Sequence, residues 1–108
     1  MTKKKIEEIA DSLGWGVEYG KDKFVTFSRY SSCGQDFNVE ICYEKVSDIP
    51  DKLEQYYDSF DVSYEAYIWL GDDGHGKNGA PYEMIDVYND MKECEEKILE
   101  LYQELREV

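Results

Sequence analysis

The sequence predicts an α+β domain: an N-terminal helix, a three-stranded antiparallel sheet, then two or three helices, the last one long. Three observations carry this. DFNVEICYEK alternates strictly, with Phe37, Val39, Ile41 and Tyr43 on one face and Asn38, Glu40, Cys42 and Glu44 on the other. That is the period of a half-buried strand. Met84, Val87, Met91, Cys94, Ile98, Leu101 and Leu105 recur at steps of three and four, the seam of an amphipathic helix. Between these stretches, glycine and short polar clusters mark turns. A chain of 108 residues has room for one core, so 1–108 reads as a single domain.

The elements follow in order. Thr2 can cap a helix through Leu13, with Ile6, Ile9, Ala10 and Leu13 on one face and Gly14 and Gly16 to stop it. WGVEYG and KFVTFSRY are β-rich, and GKDK between them reads as a hairpin turn. SSCGQD is a loop that leads into the alternating strand, completing a meander. Pro50 suits the first turn of a helix, DIPDKLEQYYDSF. DVSYEAYIWL fits both periods. Asp61 or Ser63 followed by Glu65 looks like a helix start, and we read a short helix there. Pro81 then fixes the entry of the last helix, whose apolar seam will pack on the sheet or on a partner helix.

GDDGHGKNGAPY spans residues 71–82 and contains a literal G-x-G-x-x-G at Gly74, Gly76 and Gly79. A dinucleotide site needs a second parallel strand after the helix, carrying an acid some 20 residues on. Here the last helix takes up the rest of the chain, and Asp72 and Asp73 at the loop entrance would repel a pyrophosphate. Lys77 is not part of a G-K-[ST] triplet, and an EF-hand loop starting at Asp72 would have Gly74 and Gly76 where oxygen ligands belong. The loop reads as a turn and a contact surface rather than a phosphate cradle. His75 is the one histidine, and Cys33, Cys42 and Cys94 are odd in number and widely spaced. That argues for reduced thiols in a cytoplasmic protein, against a zinc site or a disulfide framework. We expect no catalytic residues, no metal and no cofactor. No apolar run approaches the ~20 residues of a membrane span.

Charge is the informative quantity. There are 25 Asp plus Glu against 12 Lys plus Arg, a formal net charge of −13. Such a field repels nucleic acid and membrane surfaces and attracts basic partners. On the last helix, Glu83, Asp86, Asp90, Glu93, Glu100, Glu104 and Glu107 recur at threes and fours, interrupted by Lys97. At ~1.5 Å rise per residue, neighbours stand roughly 5 Å apart along the axis. Phosphates along one strand rise about 3.4 Å each, a similar scale. Asp48, Asp51, Glu54, Asp58 and Asp61 form a second group on the central helix. Surface stripes that serve solubility interleave both signs, whereas Lys92, Lys97 and Arg106 are the only bases on the last helix. Tyr56, Tyr57, Tyr64, Tyr67, Trp69, Tyr82, Tyr88 and Tyr102 accompany the acids, and exposed aromatics anchor interfaces.

The run YEAYIWLGDDGHGKNGAPYEMIDVYNDMKECEEKILELY, with CGQDFNVEI upstream, resembles small acidic proteins of bacteriophages and conjugative elements, of the anti-CRISPR and antirestriction type. The resemblance covers the last half of the chain well and the sheet region loosely, and it carries over no individual residue role. It implies a non-enzymatic inhibitor in a bacterial host's cytoplasm. Its partner would be a basic nucleic-acid-binding protein, a CRISPR effector or other defence nuclease, bound by charge mimicry. The residues expected to bind are Asp86, Asp90, Glu93, Glu100 and Glu104, with Asp72, Asp73 and Tyr82 near the loop. Two alternatives stand beside it: a module that pairs helices through the 84–105 seam, as a homodimer or with a regulatory partner, and a small enzyme or ligand-binding domain centred on the glycine loop and His75.

Overall fold

A computed structural model of the protein describes residues 1–70 and 83–107. The order of elements is α1 (Lys3–Ser12), β1 (Gly16–Tyr19), β2 (Phe24–Tyr30), β3 (Asp36–Cys42), α2 (Ile49–Ser59), α3 (Val62–Leu70) and α4 (Met84–Arg106), with a 3-10 turn, Val46–Asp48, before α2. This is the α+β architecture the patterns predict.

Local chemistry explains each boundary. Thr2 caps α1, its hydroxyl accepting from the Lys5 amide at 3.1 Å. The helix ends in a Schellman motif: Trp15 N–H donates to Ala10 O at 2.9 Å and Gly14 N–H to Asp11 O at 3.0 Å. The motif needs a left-handed residue, and Gly14 supplies it at φ 88°. The strands form an antiparallel meander in the order β1-β2-β3. Its register sets Val25 opposite Ile41 and Phe27 opposite Val39, so one face of the sheet is apolar. The β2–β3 loop is a three-residue hairpin closed by Ser31 N–H to Gln35 O at 2.8 Å, with Gly34 at φ 89° in its last position.

Within residues 61–70, which fit both periods, Val62–Leu70 form the short helix α3. Asp61 caps it, its carboxylate accepting from the Tyr64 amide at 3.2 Å. Pro50 lies in the first turn of α2 as expected.

One apolar core joins the inner sheet face to the helices. Val25, Phe27, Phe37 and Val39 meet Ile6, Leu53 and Ala66, and the seam of α4 from Val87 to Leu105 is buried within the same cluster. α4 packs against α3, α2 and α1. Of the predicted seam only Met84 lies outside, 41% exposed. The seam therefore belongs to this chain's own core, and a module that paired helices through it would have to open that core.

Candidate partner-binding face on the last helix

Helical geometry decides which acids of α4 face outward. At about 100° per residue, the buried seam from Val87 to Leu105 centres on one direction. Asp86, Glu93, Glu100 and Glu104 project about 100–140° from that centre, and Asp90 only about 60°. Accordingly Asp86 and Glu104 are exposed, and Glu93 and Glu100 are half-buried. Among the described residues, none of these four has a lysine or arginine nitrogen within 4.0 Å.

Asp90 does not belong to that outward face. It is 3% exposed and holds the β2–β3 loop against the helix. Its Oδ2 accepts from the Ser31 hydroxyl at 2.6 Å and its Oδ1 from the Cys33 amide at 3.1 Å. The Ser31 hydroxyl in turn accepts from the Gln35 amide at 2.9 Å. A carboxylate on the border of the seam is thus buried with its oxygens satisfied. The sequence reading assigned Asp90 to a partner; the structure gives it to the loop.

Glu93, one turn on, accepts from the Ser32 hydroxyl at 2.6 Å. Between loop and helix lies a cavity of about 320 Å³, lined by Ser32, Cys33, Asp86, Asn89, Asp90 and Glu93. Its thiol is not a ready nucleophile. Burial raises the Cys33 pKa, and the Asp90 carboxylate raises it further by its charge and hydrogen bond, with help from Asp86 and Glu93. Nearby Cys94 is pushed up to about 12, chiefly by burial and then by Asp90. No group of three or more His, Cys, Asp or Glu among the described residues could hold a metal ion.

The second acidic group is partly neutralised. Arg106 Nη2 donates to Asp51 Oδ1 at 2.8 Å and to Glu54 Oε1 at 2.9 Å, and Nη1 donates to Glu54 Oε2 at 2.9 Å. This fork ties the end of α4 to α2. The guanidinium also lies 5.0 Å from the Tyr102 ring centroid. The hydrogen bond from Arg106 holds the Glu54 carboxyl below its usual range.

The aromatics divide by depth. Tyr64 is 62% and Tyr67 73% exposed, whereas Tyr102 is buried. Tyr56, Tyr57, Trp69 and Tyr88 are half-buried. Asp72, Asp73 and Tyr82, together with the glycine loop and His75, lie outside the described residues.

Sequence reasoning missed Ser31, Gln35 and Arg106. Gln35 is fully buried in a loop, its amide nitrogen donating to Trp69 O at 3.4 Å. No local pattern marks it, because its side-chain partner, Trp69 O, comes from a helix far along the chain. Arg106 carried a signal, as the one arginine on a helix facing Asp51 and Glu54. No helix among the described residues is long and apolar enough to cross a membrane. No protein family, curated protein or solved structure matches the chain.

Proposed function

We propose that this protein is a non-enzymatic inhibitor that docks its acidic surface on the basic nucleic-acid channel of a binding protein, a CRISPR effector or another defence nuclease. The observation that carries the reading is the outward face of α4. Asp86, Glu93, Glu100 and Glu104 project together from a rigid helix, and no described base lies within ion-pair distance of them. Their charge is available to a partner, unlike that of Asp51 and Glu54, which Arg106 engages. The net charge of −13 steers such a protein toward a basic groove and away from nucleic acid itself. The raised thiol pKa values of Cys33 and Cys94 further support a binding role over nucleophilic chemistry.

The test is charge reversal on the outward face with Asp90 left intact. An Asp86→Lys/Glu100→Lys/Glu104→Lys variant keeps every buried contact of α4. Tagged wild-type protein should capture a guide-loaded effector at low salt, lose it at high salt, and release it to target DNA. The folded triple variant should capture none. Capture by the triple variant equal to wild type would overturn charge mimicry, and capture indifferent to salt and DNA would point to an apolar interface.

A further inference from the structure

The sheet ends at β3, and its hydrogen-bond pattern fixes which backbone groups of that strand face outward. Ser31 N–H donates to Gln35 O at 2.8 Å and Tyr43 N–H to Lys23 O at 3.0 Å. Opposed residues of an antiparallel ladder alternate between bonded and non-bonded pairs. The register therefore makes Phe37, Val39 and Ile41 the β3 residues that bond to β2. The far side of β2 agrees: Gly20 N–H donates to Phe24 O at 2.9 Å, which assigns Phe24, Thr26 and Ser28 to β1. The N–H and C=O groups of Asp36, Asn38, Glu40 and Cys42 thus point away from the sheet, and β3 has one strand neighbour among the described residues. Among those residues, Asp36 O alone of the outward groups has a partner, the Asn38 side-chain amide at 3.2 Å. The stretch 38–42 is left open.

This edge carries few of the devices that usually blunt one. β3 runs seven residues in unbroken register with β2, without a bulge, proline, lysine or arginine. The side chains of Asp36, Asn38, Glu40 and Cys42 are all exposed. Two of them are carboxylates, and no lysine or arginine nitrogen among the described residues lies within 4.0 Å of either. Glu18 adds a third acid to the same face, since Glu18 and Glu40 both stand opposite Thr26. The other edge, β1, is shorter, at four residues, and packs against α1.

Charge decides what can pair there. A second copy that paired β3 with β3 about Asn38 or about Glu40 would set acid directly against acid, an unfavourable cross-strand arrangement. A strand with lysine or arginine at every second position sets bases beside Asp36 and Glu40 while its backbone completes the ladder. We infer that the β3 edge is a strand-addition site for an extended basic segment of another protein, one with lysine or arginine at alternate positions. The site lies on a different element from the outward face of α4 and goes beyond the inhibitor reading, since it needs no effector.

The experiment titrates the full-length protein with the peptide acetyl-Lys-Thr-Lys-Val-Lys-Thr-Lys-amide and follows backbone amides by NMR and hydrogen exchange. The same peptide N-methylated at its lysines keeps the charge and loses the ladder bonds; a glutamate version reverses the charge. In the free protein, the amides of Asn38, Glu40 and Cys42 should exchange faster than those of Val39 and Ile41. Basic peptide at ten times its Kd should slow the three amides about tenfold, with saturable shifts centred on β3. Neither control peptide should do so. Glu40→Lys, at an exposed position, should weaken the basic peptide about fivefold or more. Slow exchange of the three amides in the free protein would mean that the edge is already covered, and would overturn the proposal. So would equal shifts from the N-methylated peptide, or shifts spread over α4, either of which reports charge attraction alone. Peptide binding at β3 by a protein that captures no effector would sink the inhibitor reading and leave the edge. Effector capture without peptide binding would do the reverse.

Discussion

Asp90 shows how much one residue's position on a helix changes its meaning. As part of a series of acids it reads as surface charge; placed at the margin of the seam it becomes the anchor of the 31–35 loop. Replacing it with alanine strands the buried Ser31 hydroxyl and the Cys33 amide, which should cost about 1–3 kcal/mol in denaturant unfolding. Asp90→Asn retains one acceptor and should cost less. An alanine variant as stable as wild type would show that the loop does not depend on it. Lys23 offers the opposite case. It sits at φ 62° after Asp22 at φ 59°, a backbone region that disfavours a side chain. Lys23→Gly should stabilise the protein by about 0.5–1 kcal/mol and raise Tm by a few degrees. The lost ion pair to Glu44, 3.2 Å on the surface, offsets little of this. The cysteines separate by accessibility: Cys42 is exposed and Cys94 buried. Iodoacetamide at pH 7.5 should modify Cys42 first and reach Cys94 only on unfolding, as mass spectrometry of a time course would show.

Among the elements, α3 could not be decided from its own residues, since its alternation and its helical spacing compete. What makes it helical is its place: Ala66 packs into the core, Trp69 lies 6.0 Å from Phe37, and Asp61 caps the first turn. α2 and α4 depend on each other through the Arg106 fork. Because Arg106 lowers the folded-state pKa of Glu54, that contribution is present above the ordinary glutamate pKa and is lost as pH falls through the lower, folded value. Arg106→Gln should therefore destabilise the protein near neutral pH, with the gap from wild type closing in acid. A gap that is constant with pH would mean that the arginine acts by packing on Tyr102 alone.

At the scale of the whole molecule, charge dominates. A net charge of −13 on one small domain repels itself, and that repulsion opposes the compact state. Raising NaCl from low to moderate concentration should screen it and raise Tm, in the same range of salt that should weaken the proposed partner capture. A Tm that falls with salt would mean that ion pairs such as the Arg106 fork outweigh the repulsion. On the proposed function, opposite responses of stability and binding would follow from one cause. The acids of the outward face repel one another in the free protein, and in the proposed complex a basic surface would compensate them.

The sequence by itself determined every element but α3, their order and the sign of the field, because hydrophobic period, turn chemistry and formal charge are local or additive properties. The strand alternation at 37–43 and the seam at 84–105 each named a face before any fold was known. Only the tertiary structure decided which acids are available. Asp86 and Asp90 look alike in sequence, but the β2–β3 hairpin loop, far earlier in the chain, hydrogen-bonds Asp90 and buries it, while Asp86 beside it stays exposed.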